Sequence, residues 1–263
     1  WSVAYLLPGW ATGAAIRLPL PEGFWPEAGI VAGSIAVMVG LSITSSMRRH
    51  RKATVLISSM SLLILAGLFI GYPHLTALDQ GVMTLVQEHR SPTLDEVAVT
   101  LTIIGEFRNM LLFSALLVVL LLVMRQWRQA IFACATLLIT ALANTGSKMF
   151  FARVRPEVLS DPLTSYSMPS GHASGAFALF LTLAVLAGRG QPPRMRLTWL
   201  LVGCLPALAI AVSRVYLGAH WPTDITAGAM LAACVCAASL WTIQRGEELK
   251  AMPPKVWWLV LPA

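Results

Sequence analysis

Three short stretches of this 263-residue chain combine cations, histidines and a carboxylate at spacings that suit an anion. The first holds Lys148 and Arg155, seven residues apart, followed by Pro156. Seven residues are two helical turns, so both cations share a face if a helix persists between them. Pro156 biases Arg155 out of the helix and predicts that the element ends there. The second stretch is Pro169-Ser170-Gly171-His172. Ser170 is a good helix N-cap, Gly171 lets backbone N–H groups come close to an oxyanion, and a helix start favours an anion. The third is Ser213-Arg214, then His220 and Asp224. Pro222 fits the first position of a new helix. Asp224 then lies in the first turn, able to reach back to one ring nitrogen of His220. That bond fixes the tautomer and leaves the other nitrogen as a nucleophile or base. A phosphoryl group, with charge spread over three oxygens, matches three converging cations.

Each stretch has a commoner explanation when taken alone. A membrane histidine often makes only an interhelical hydrogen bond, basic residues at span ends snorkel, and Pro-Ser-Gly is a turn. Together they stand at helix ends on one side of a membrane, which follows from the elements that carry them. The chain is 57% hydrophobic and only 12% charged, about half the charge of a soluble domain. Apolar stretches near twenty residues long match the hydrocarbon core of a bilayer. The sequence predicts helical spans at roughly 30–46, 53–72, 109–124, 130–150, 170–187, 197–214 and 222–243. Between them, 73–108 is the longest polar stretch, broken at Pro92 and Gly105, and predicts a helical hairpin or surface helices.

The net charge of +7 reads as a topology signal, with no nucleic-acid partner. Arg48, Arg49, Arg51, Lys52, Arg125, Arg128, Arg189, Arg194, Arg196, Arg245, Lys250 and Lys255 fall on one side, twelve of the 19 Lys and Arg residues. That side is cytoplasmic by the positive-inside rule. Against the rule, Lys148, Arg153, Arg155 and Arg214 crowd into helix ends on the other side, where a cation kept at a cost points to function. Cys134, Cys204, Cys234 and Cys236 lie in apolar stretches without metal-ligand spacing and read as small core residues. No carboxylate cluster suits Mg²⁺, so neither metal nor cofactor is expected.

The three stretches resemble the signature of the type 2 phosphatidic acid phosphatase superfamily, which also includes vanadium haloperoxidases. The likeness covers Lys148, Arg155, Pro156, Pro169, Ser170, Gly171, His172, Ser213, Arg214, His220 and Asp224. It implies a phosphohistidine formed on His220, with Asp224 orienting that ring. It makes His172 the general acid, and Lys148, Arg155, Ser170, Gly171 and Arg214 the phosphate-binding set, without a metal. The implied fold is an all-α polytopic membrane bundle, a six-helix phosphatase core with one preceding transmembrane helix. Residues 1–46, including Trp1–Pro8, Gly9 and Gly13, resemble the C-terminal end of a DedA-type membrane protein. Together with the missing initiator Met, this likeness suggests a chain that begins partway through a fusion.

The expected organisation is therefore an N-terminal membrane segment over 1–52, a lipid phosphatase core over 53–243 and a cytoplasmic tail over 244–263. The expected setting is a bacterial inner membrane with the site facing the periplasm. The expected partners are the bilayer and a phosphorylated lipid: undecaprenyl diphosphate first, then phosphatidate or phosphatidylglycerol phosphate. A soluble haloperoxidase conflicts with seven spans. A lipid transporter or scramblase, and a phospholipid-binding protein without activity, are the readings from other classes. The sequence carries no signal for oligomeric state.

Overall fold

The computed structural model describes residues 20–47, 52–158, 165–246 and 248–251. Trp1–Pro8, Gly9 and Gly13, together with Arg48, Arg49, Arg51 and Lys255, lie outside the described residues. The described residues fold into helices α1 (Phe24–Met47), α2 (Ala53–Gly71), α3 (Thr76–Glu88), α4 (Pro92–Ile104), α5 (Phe107–Val123), α6 (Trp127–Phe151), α7 (Gly171–Ala187), α8 (Pro193–Tyr216) and α9 (Pro222–Ile243), with one 3₁₀ turn at Tyr72–His74.

Helices stand at all seven places where spans are expected. Five are long and apolar enough to cross a membrane. A sixth span results if α4 and α5, bent by 49° at their junction, are counted as one, and α7 is a shorter apolar helix. The polar stretch becomes α3 and α4. Pro92 occupies the first turn of α4, where a missing N–H costs nothing, and Ser91 caps it by accepting from the Leu94 amide.

Lipid explains the distribution of apolar residues. Leu111, Leu112, Leu116 and Val119 on α5, and Leu201, Leu205, Leu208 and Val212 on α8, are exposed on the protein's outer surface. The inner faces carry small residues instead, such as Ala173, Ala176 and Ala178 on α7 and Ala227 and Ala232 on α9. Hydrocarbon is as apolar as leucine, so helices associate through close packing and hydrogen bonds. Accordingly α7 sits centrally, against α6, α8 and α9, and α9 packs on α2. Two glycines permit the approach. A Cβ at Gly228 of α9 would stand 2.8 Å from the Ser170 carbonyl oxygen, and one at Gly203 of α8 would stand 2.8 Å from that of Phe180. Buried polar bonds add to the packing: Asn144 Nδ2 donates to Ser174 Oγ at 2.9 Å and to the Pro169 carbonyl at 3.3 Å.

The flanking segments dock on this bundle. Glu27 of α1 accepts from the Leu78 amide at 2.7 Å, linking α1 to α3. After α9, Leu249 is buried, and Gln129 Nε2 donates to the Lys250 carbonyl at 3.2 Å, which holds the 248–251 segment against the start of α6.

Candidate active site

The ends of α6, α7, α8 and α9 meet with the 152–158 and 165–170 segments at one end of the bundle. α6 stops at Phe151 because Ala152 turns left-handed (φ 47°, ψ 34°). The conditional expectation that one helix carries both Lys148 and Arg155 therefore fails: Lys148 lies in the last helical turn and Arg155 beyond it. They still converge, on the backbone of 165–167. Lys148 Nζ donates to the Tyr166 carbonyl at 2.6 Å, and Arg155 Nε donates to the Ser165 carbonyl at 2.7 Å.

The chain then presents His220 to Arg155. The ring is buried in the turn between α8 and α9, and its Nε2 stands 3.1 Å from Arg155 Nη1. A guanidinium only donates, so Nε2 carries the lone pair and Nδ1 the hydrogen. Nδ1 faces Asp224 Oδ2 at 3.4 Å, a long contact. Asp224 lies in the first turn of α9, with Pro222 ahead of it, and its Oδ2 also accepts from the Trp221 amide at 2.8 Å. Burial pushes the His220 imidazole down to about 4, with the Asp224 hydrogen bond opposing the shift. The ring is thus neutral near pH 7. Burial also lowers Arg155, with Asp224 opposing.

Arg214, in the last turn of α8, is buried. Its Nη1 donates to Thr102 Oγ1 at 3.0 Å, while its Nε has no partner among the described residues. A buried guanidinium with an unused donor is suited to an anion. Ser170 caps α7: its Oγ accepts from the Ala173 amide at 3.4 Å. Gly171 and His172 open that helix, so their amides have no acceptor in the preceding turn. His172 interacts electrostatically with Arg214, His220, Arg155 and Lys148. A Cβ at Gly105, at the α4–α5 bend, would lie 3.3 Å from His172 Cδ2. The three cations, two histidines and one helix start thus share one pocket region.

Several residues here went unread in the sequence. Ser167 donates its hydroxyl to Asp224 Oδ2. Arg153, taken only as one of the outward-side cations, bonds both Asp224 and Asp79. Thr223 and Thr102 serve as bridges. The available signal was the alternation Arg153-Val154-Arg155, two cations at strand-like spacing, together with Asp79 as an acid on the helical face shared with Leu75, Val82 and Met83. Among the described residues no group of three or more His, Cys, Asp or Glu is placed to hold a metal ion. The four cysteines are free, with Cys236 buried and Cys134 exposed.

Fold and site together define a polytopic helical membrane protein with a cluster of basic and histidine side chains at helix ends. The model of the PAP2 superfamily matches residues 129–247. The chain is similar to an undecaprenyl-diphosphatase of Sulfolobus acidocaldarius, 39% identical over 95 residues, 34% of this chain and 40% of that protein. It is similar as well to phosphatidylglycerophosphatase B of Bacillus subtilis, 32% identical over 93 residues, 33% of this chain and 44% of that protein. The chain thus spans less than half the length of the curated relatives it matches. Among solved structures it superposes on a transmembrane PAP2-type phosphatidylglycerolphosphate phosphatase from Bacillus subtilis, with TM-score 0.62 and 21% identity, covering 69% of this chain and 93% of that one. Aquifex aeolicus LpxE gives TM-score 0.50 and 24% identity, covering 62% and 94%. These last two likenesses are of fold.

Proposed function

We propose that the protein is a membrane lipid phosphatase that works through a phosphohistidine. The observation that carries this reading is the state of His220: a buried, neutral ring with Nδ1–H toward Asp224, Nε2 toward Arg155, and Lys148, Arg155, Arg214 and His172 gathered around it. Arg155 leaves Nε2 for a phosphate oxygen when substrate enters. The Nε2 lone pair then attacks phosphorus, and the P–O bond to the lipid breaks. His172 takes up a proton from solvent once the phosphate anion is bound beside it, and the leaving oxygen takes that proton. Lys148, Arg155, Arg214, Ser170 and the Gly171 amide hold the phosphoryl oxygens as charge builds on them. In the second half, His172 takes a proton from water, water attacks the phosphohistidine, and His220 regains its lone pair.

The names of the curated relatives favour a lipid diphosphate of the undecaprenyl type, with phosphatidylglycerol phosphate or phosphatidate next. We place the catalytic core in 53–243, with 1–52 a separate N-terminal membrane segment and 244–263 a cytoplasmic tail. We place the protein in a bacterial inner membrane with the site on the periplasmic face, because the twelve Lys and Arg residues assigned by sequence to the other side oppose any other insertion.

The test is phosphate release by detergent-purified protein from a panel of undecaprenyl diphosphate, phosphatidylglycerol phosphate and phosphatidate. Turnover of at least one, unchanged by excess EDTA and absent in His220→Ala, is expected. No release from any lipid by the parent would instead favour a transporter or binding protein. Loss in EDTA restored by Mg²⁺ would end the metal-free mechanism.

A further inference from the structure

Arg153 is buried, pairs with two carboxylates and belongs to no part of the phosphate-binding set. Its side chain is 8% exposed. Nη2 donates to Asp79 Oδ2 at 2.6 Å, and Nη1 donates to Asp224 Oδ1 and to Thr223 Oγ1, both at 2.7 Å. Its guanidinium carbon lies 4.8 Å from the centre of the Tyr72 ring and 5.7 Å from that of Trp221. Asp79, buried on α3, also accepts from the Thr223 amide at 3.0 Å and from its hydroxyl at 2.7 Å. Burial pushes the Asp79 carboxyl up, and Arg153 and Thr223 pull it back. Donors at 3.0 Å or closer, one of them a guanidinium, hold it as a carboxylate.

The two oxygens of Asp224 are thereby divided. Oδ1 belongs to Arg153. Oδ2 belongs to Ser167, the Trp221 amide and the His220 ring. A carboxylate held on both sides cannot rotate, and its charge is shared before it reaches the imidazole. Without Arg153, Asp224 would face His220 with its charge unshared and Asp79 would stand unpaired behind it, which favours the imidazolium, a form with no free lone pair for attack at Nε2. The charged or titratable groups that act on His220 directly are Asp224 on α9, Arg155 after α6, Lys148 on α6 and His172 on α7, so Arg153 and Asp79 act through Asp224.

We propose that the Asp79–Arg153 ion pair is a positioning device for the reactive histidine. Arg153 holds the far oxygen of Asp224 and offsets its charge, so that His220 stays neutral with its Nε2 lone pair free. Asp79, reaching in from α3, anchors Arg153 and ties that helix to the reaction. Lysine cannot replace Arg153, because only a fork reaches Asp79, Asp224 and Thr223 together. The catalytic consequence rests on the proposed phosphatase reading; the electrostatic one does not.

The experiment uses the full chain in detergent, with ¹⁵N-labelled histidine and the His220 signal assigned by its loss in His220→Asn. Arg153→Gln is expected to lower kcat by about 10- to 100-fold, as loss of an outer hydrogen-bond partner does for metal-bound imidazoles, with KM within about threefold. The same variant should raise the His220 titration midpoint, and adding Asp79→Asn should bring it back down. A rise in KM with kcat kept would make Arg153 a substrate ligand and overturn the proposal. An unmoved midpoint would overturn it equally. If Arg153→Gln does not fold, the near-isosteric Asp79→Asn decides alone: kcat must fall with KM steady, and an unchanged kcat sinks the idea. If the parent hydrolyses no lipid, the phosphatase reading fails while the titration still tests the ion pair.

Discussion

With Nδ1–H turned to Asp224 and Nε2 turned to Arg155, His220 carries its lone pair on the side where the cations gather. Its replacement by Ala should therefore abolish turnover on every ester, by at least about 10³-fold. His172→Ala should behave differently, because it removes only the proposed acid. A loss of about 10²- to 10⁴-fold is expected on a lipid monophosphate. Part of that loss should return on a nitrophenyl ester, whose leaving group needs less protonation. Steady-state rates of both variants on both esters check this, and substantial turnover by His220→Ala on either would reassign the nucleophile. Burial also makes a pH prediction. The folded His220 titrates near 4, below its unfolded value of about 6.5. Its contribution to stability is therefore complete above about pH 6.5 and is lost as pH falls through 4. Thermal melts between pH 7 and 4 should decline less in His220→Asn than in the parent; equal declines would contradict a neutral buried ring.

At the scale of elements, α7 matters most, because its first residues Gly171 and His172 belong to the site while its flanks pack on α8 and α9. Its placement depends on a backbone contact at Gly228. A Cβ there would stand 2.8 Å from the Ser170 carbonyl and 3.1 Å from the Ser174 amide nitrogen. Neither is the tip of a flexible side chain, so the helix start itself must move. Gly228→Ala should destabilise by about 1–3 kcal/mol, as overpacking does, and lower kcat through the displaced Ser170–His172 turn. A melt and a rate on one preparation test both, and parent-like values for each would show that the start of α7 yields without cost. Gly29 of α1, which has nothing within 4 Å of an added Cβ, is the control.

At the scale of the whole molecule, the site lies at one end of the bundle, and large apolar side chains are exposed on α5, α6 and α8. Exposed Met149, Phe150 and Val154 flank the segment carrying Arg155. We propose that this end faces the periplasm. In a background where the native cysteines are replaced, Ser165→Cys should react with an impermeant thiol reagent in intact cells whose outer membrane admits it. Reaction only after the inner membrane is opened would invert the topology. Ser165 tests both face and site, since its carbonyl and hydroxyl accept from Arg155 at 2.7 and 2.9 Å.

The sequence by itself determined the class of fold. Twenty-residue apolar stretches in a chain with 12% charge have few stable answers, because lipid satisfies no backbone group. Helices accordingly stand at all seven expected spans. It also determined where helices start near the site, since Ser170 and Pro222 are local signals that act within one turn. The partners of each side chain were decided only in three dimensions. Lys148 and Arg155 meet through the 165–167 backbone because Ala152 ends α6 early, not because two turns of helix align them. Arg153 and Arg155 look alike in the sequence, yet one faces His220 Nε2 and the other grips Asp224 from behind. Asp79 reaches Arg153 across 74 residues, and Thr102 reaches Arg214 across 112. No local rule carries such contacts. They follow from how helices bury small residues against one another, and that packing sets which oxygen meets which nitrogen.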